Sequence, residues 1–111
     1  MEGSQIISYE DFKKIQLKVG KIVEIEPIKG SKKLLKLSVD LGEEKPRTIV
    51  AGLAEVYSLE ELINKKIIVV ANLKPAKLFG VESHGMLLAA VDGEKVSVAT
   101  VDNVNPGSQV E

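Results

Sequence analysis

From Leu35 to Leu41 apolar and polar residues alternate without a break: Leu35, Leu37, Val39 and Leu41 fall on one side, Lys36, Ser38 and Asp40 on the other. A period of two is the mark of a half-buried strand. The same rhythm starts at Leu17. There Leu17, Val19, Val23 and Ile25 share a predicted inner face, and Lys18, Glu24 and Glu26 the outer one. Gly20 interrupts this run and predicts a bulge or sharp bend. Arg47 to Ala51, stopped by Gly52, predicts a third strand. The apolar runs from Lys66 to Ala71 and from Met86 to Val91 predict a fourth and a fifth. Two short helices are signalled by their caps. Ser8 with Asp11 opens the first, which ends near Ile15, with Ile7 packing on Phe12 as a hydrophobic staple. Ser58-Leu59-Glu60-Glu61 is a capping box for the second, from Leu59 to near Asn64. Asp92-Gly93 predicts a hairpin that returns the chain as a strand over Lys95 to Val101, before Asn105-Pro106-Gly107 turns the last segment.

The order is helix, three strands, small helix, two strands and a C-terminal β extension. It predicts an all-β chain with the OB-fold, a five-stranded Greek-key barrel with a helix between strands three and four. An SH3-like barrel or a small sandwich shares the short, punctuated strands, but the capped inserted helix favours the OB layout. At 111 residues the chain is expected to be one domain. Its parts are an N-terminal helical segment over 1–16, the barrel over 17–91 and the extension over 92–111, where a dimer interface is expected.

Composition narrows the function classes. Hydrophobic content of 44% is that of a globular domain, and the absence of cysteine removes disulfides, thiol nucleophiles and thiolate metal sites. No apolar run reaches the roughly 20 residues of a membrane helix. Met1-Glu2-Gly3-Ser4 has no export signal, so a cytoplasmic location is expected. His84 is the only histidine, and no nucleophile–base pair or metal cluster can be assembled around it. Gly30-Ser31-Lys32 lacks the spacing of a phosphate-binding loop. No enzymatic activity, metal or cofactor is expected.

A net charge of −1 argues at first against nucleic acid, but the charges are segregated. Lys29, Lys32, Lys33 and Lys36 form one cluster without an acid, and Lys65, Lys66, Lys74 and Lys77 another. No acid occurs from Ile63 to Val81. In an OB-fold the ligand face is strands two and three, walled by the loops between strands one and two and between strands four and five. Those loops are Pro27–Lys33 and Asn72–Gly85, and Lys36 and Arg47 lie on the strands between them. The lysines therefore fall where this architecture presents an anionic ligand, and phosphate contacts give affinity with little sequence content. The aromatics are only Tyr9, Phe12, Tyr57 and Phe79. Such scarce stacking surface favours the shape of a folded RNA, with one or two bases captured, over a long single strand. Phe79 and Met86 are either ligand contacts or core. Ser83 is a candidate hydrogen-bonding group for a base edge or ribose.

Asn72-Leu73-Lys74-Pro75-x-Lys77-Leu78-x-Gly80-Val81-x-Ser83-x-Gly85-Met86-x-Leu88-Ala89-Ala90 closely resembles the signature loop of the tRNA-binding domain at the C-terminus, or in the β subunit, of methionyl-tRNA synthetases. Free-standing structure-specific tRNA-binding proteins share that loop. Further similar stretches are Asp11-Phe12 with Leu17-x-Val19-Gly20, then Gly30-Ser31-x-Lys33-Leu34-Leu35-x-Leu37, and Ile49-Val50-Ala51-Gly52-Leu53. The resemblance implies an OB-fold that binds tRNA at its outer corner without regard to identity, and a homodimer formed through the two terminal segments. It implies a pocket of Asn72, Lys74, Lys77, Ser83 and Met86, with Lys33 from the facing loop. Ala76 stands where many relatives carry arginine, and Lys32 where they carry an acid.

The expected function is a non-catalytic tRNA-binding module that supplies tRNA to methionyl-tRNA synthetase. Its expected partners are tRNA, the synthetase catalytic chain and a second copy of itself, with no membrane and no DNA. The expected contact set is Lys33, Lys36, Arg47, Asn72, Lys74, Lys77, Phe79, Ser83 and Met86. The alternative is a chaperone-like or scaffold module that uses the same groove for peptides.

Overall fold

The computed structural model describes residues 5–111; the first four residues of the expected N-terminal segment lie outside them. Alternation in β2 (Leu35–Asp40) drives Leu35, Leu37 and Val39 into the interior, as the sequence predicts. β2 lies between β3 (Arg47–Ala51) and β1 (Leu17–Pro27), and β1 passes on to β4 (Lys66–Val70) and then β7 (Met86–Leu87). These five antiparallel strands form a nearly closed barrel, the expected OB layout. Ile22, Leu37, Val39, Ile49, Ile67 and Val69 fill it and are completely buried. The helix α2 (Leu59–Leu62) follows β3, held by the predicted capping box, and inserts Leu62 into the core. At the N-terminus α1 (Tyr9–Lys13) is capped by the Ser8 hydroxyl but buries no residue, and Ile7, the expected staple, is exposed.

The inner face of β1 differs from the expected one. Its register shifts between Ile22 and Glu24, so the bulge is at Val23 rather than Gly20. Gly20 and Ile22 point inward before it and Ile25 packs on the core after it, while Val19 is buried on the opposite face. Gly20 is a close-approach position: a Cβ there would lie 2.5 Å from Val39 Cγ1 and 2.9 Å from Leu41 Cδ2.

Two expected elements also change form. The fifth strand leaves the barrel after Leu87, and β8 (Ala89–Asp92) pairs instead with β9 (Lys95–Val98) in a separate hairpin. The expected loop over 72–85 contains a small hairpin arm, β5 (Ala76–Leu78) against β6 (Val81–Ser83). The chain end returns along β1, where β10 (Gln109–Val110) pairs with Leu17 and Lys18.

Candidate nucleic-acid interface

The arm stands on a scaffold of side chains that satisfy distant backbone groups. At its root, Asn72 Oδ1 accepts the Gln16 N–H at 2.8 Å and Asn72 Nδ2 donates to the Lys14 carbonyl at 2.6 Å. Arg47, on β3, spans the gap from strand to arm. Its Nη1 donates to the Ala71 carbonyl at 2.6 Å and to the His84 carbonyl at 3.2 Å. Its Nε and Nη2 grip Glu43 at 2.9 and 2.7 Å. This fork holds the Glu43 carboxyl below its ordinary range; burial opposes the shift, and the charges of Arg47 and Lys18 add to it. Ser83 is buried; its hydroxyl accepts the Val50 N–H and donates to the Gly85 carbonyl, each at 3.0 Å. The His84 N–H donates to the Thr48 carbonyl at 2.9 Å. These contacts fasten the arm to β3 and all but close the barrel.

Asn72, Arg47 and Ser83, three of the expected contact residues, thus make side-chain hydrogen bonds to backbone groups of the chain itself; Ser83 is buried, while Asn72 is exposed. They position the arm. Lys36 is directly opposite Glu26 across the β1–β2 ladder and pairs with it at 3.4 Å, so part of its charge is already offset by that acid. The sequence shows Glu24 and Glu26 on one face but does not reveal this register, which brings both acids beside Lys36.

The remaining expected residues project outward. Lys33, Lys74 and Lys77 are exposed, and none forms an ion pair among the described residues. Phe79 is mostly exposed and Met86 about half exposed, and neither is among the buried core residues. The first loop is preformed: Ser31 Oγ accepts the N–H groups of Lys33 and Leu34 at 3.2 and 3.1 Å, and the Lys33 carbonyl accepts the Ala54 N–H at 3.0 Å. Its side chains are therefore presented from a fixed backbone. The two loops meet at their tips, because a Cβ on Gly30 would lie 3.9 Å from Phe79 Cδ2. Gly30 has φ of 90°, a conformation suited to glycine.

A cleft of about 490 Å³ opens at the root of the arm, between Lys45, Thr48 and Arg47 on one wall and Leu73, Pro75 and His84 on the other. Lys45, Thr48 and His84 are absent from the expected contact set. The meeting of Lys45 and Thr48 with Leu73, Pro75 and His84 has no signal along the chain, since it arises only from the folding of the arm against β3. His84 Nε2 lies 2.9 Å from Glu82 Oε1, on the exposed side of the arm. Among the described residues no three His, Cys, Asp or Glu side chains group to hold a metal ion. No described helix is long and apolar enough to cross a membrane.

Residues 17–109 match the family model described as "Putative tRNA binding domain". The chain belongs to the tRNA-binding domain family. It is 53% identical over 112 residues to a methionine–tRNA ligase of Methanosarcina mazei, covering 99% of this chain but only 16% of that protein. The tRNA-binding domain thus spans about a sixth of such ligases. Among solved structures it superposes on a MetRS-related protein from Pyrococcus horikoshii with a TM-score of 0.91 and 44% identity, covering 97% of this chain and 100% of the other. The CsaA chaperone protein of Picrophilus torridus matches with a TM-score of 0.88 and 34% identity, over 96% and 100% of the two chains. The tRNA-binding domain described here is therefore related to both synthetase-linked and CsaA-type proteins.

Proposed function

We propose that this domain binds tRNA without chemistry, gripping phosphates with exposed lysines from two converging loops and delivering the RNA to methionyl-tRNA synthetase. The observation that carries this reading is the meeting of the loop tips at Gly30 and Phe79. This meeting supports a shared surface for Lys33, Lys74 and Lys77, which form no ion pair among the described residues, on loops braced by the hydrogen bonds of Ser31 and the buried Ser83. The contact set is Lys33, Lys74 and Lys77, with Phe79 and Met86 as exposed apolar neighbours and Lys36 as a weaker, partly neutralised contributor. Asn72, Arg47 and Ser83 act by shaping the arm. Phosphate grip on a preformed surface reads shape, which fits recognition of the outer corner of tRNA irrespective of its identity.

A homodimer belongs to the same proposal. Ile6, Ile7 and Val104 are exposed near the terminal segments, and β10 ties the chain end to β1. Sedimentation at micromolar concentration gives a dimer if this holds and a monomer if it does not.

A second reading, peptide holding in the same groove, is favoured by the exposed Leu73, Leu78 and Met86 and by the likeness to a CsaA chaperone protein. Filter binding of tRNA against unstructured RNA of equal length, at low and moderate salt, separates the two. Preference for tRNA with steep loss in salt supports the proposal. A salt-insensitive affinity for apolar peptides, with none for tRNA, overturns it.

A further inference from the structure

Phe79 occupies a position that neither the turn nor the core explains. With Gly80 it forms the two-residue connection of the arm between Leu78 and Val81, and both have positive φ, 50° and 79°. Such turns favour asparagine or glycine, and a bulky aromatic in the left-handed region carries backbone strain. Burial does not offset that strain, since the residue is 62% exposed. One edge of the ring lies near the bare backbone of Gly30, 3.9 Å from where a Cβ would stand, at the meeting of the two loops. Lys29, Lys32 and Lys33, all exposed, belong to the loop of Gly30, and Lys77 stands two residues before Phe79 on the other.

We infer that Phe79 is a stacking platform for one unpaired base of the bound RNA, a role that rests on the tRNA-binding reading above. The ligand that fits is folded RNA with a single base turned out of its stack beside the phosphates that the lysines hold. Every base has a π-face, so one platform selects for an unpaired base without selecting which base. This adds a structural demand that phosphate contacts alone do not make: a fully paired RNA satisfies the lysines but leaves the ring unused.

The test is Phe79→Gly, which places Gly-Gly in the turn and relieves its strain, so the arm keeps its hairpin. Affinity is measured for a deacylated tRNA and for a blunt RNA duplex, with Lys77→Ala as the phosphate control. The expected result is a loss for tRNA of roughly 5- to 100-fold, the scale of one base stack. The duplex affinity and the slope of log K against log salt stay unchanged, and Phe79→Tyr binds as the parent does. If Phe79→Gly binds tRNA as the parent does while Lys77→Ala weakens it, the platform is wrong and phosphate recognition stands. If Phe79→Gly weakens duplex and tRNA equally, the ring has no role specific to unpaired bases and the inference also falls. If the parent binds neither RNA, the underlying tRNA reading fails and the platform with it.

Discussion

The hydroxyl of Ser83 accepts the backbone N–H of Val50 at 3.0 Å, joining the hairpin arm to β3 inside the protein. Ser83→Ala leaves that buried N–H without a partner, at a cost of about 1–3 kcal/mol. The melting temperature is expected to fall by roughly 5–15 °C. The salt slope of RNA binding by the folded protein stays the same, because no phosphate contact is removed. An unchanged melt would show that the hydroxyl does not secure the arm.

Gly20 faces the interior where β1 coils across the barrel, and an added methyl would press on the Val39 and Leu41 side chains. Gly20→Ala is expected to destabilise by about 1–3 kcal/mol, the range for overpacking a filled core. Denaturant unfolding at constant m-value measures it; a neutral result would mean that the barrel relaxes around the methyl.

The Arg47–Glu43 fork couples the arm to pH. Arg47's hydrogen bond lowers the Glu43 carboxyl pKa, so this group stabilises the fold at pH above its ordinary value of 4.5. That contribution is lost as pH falls from there through the lower folded value. Glu61, in the capping box of α2, is lowered by the Ser58 backbone N–H and acts in the same direction. The melting-temperature gap between the parent and Glu43→Gln is expected to be widest near neutral pH and to narrow as pH falls below 4.5. A gap that widens in acid would contradict the assignment.

Much of this architecture is legible along the chain. The alternation in β2 and the caps at Ser8 and Ser58 depend on neighbours within a few residues, so local pattern reveals them. The bulge at Val23 leaves no such trace, since a β-branched residue suits a regular strand equally well. The arm is hidden because its turn uses Phe79 where hairpin turns favour asparagine or glycine. Arg47, Asn72 and Ser83 are read as candidate ligand contacts because they are polar residues close to the lysines, and the hydrogen bonds they make within the chain are not visible there. The backbone groups they reach at Ala71, Lys14 and Val50 lie 24, 58 and 33 residues away, and only the folded chain brings these into reach. Side-chain chemistry is thus readable from sequence, whereas the direction in which a polar side chain spends its hydrogen bonds is not.

The central claim is that Lys74 and Lys77 hold phosphates of a folded RNA, and the salt dependence of tRNA binding in Lys74→Ala and Lys77→Ala tests it most directly. Each substitution is expected to weaken tRNA binding and to reduce the slope of log K against log salt by about 0.7–0.9. Affinities and slopes identical to those of the parent protein in both variants would contradict it.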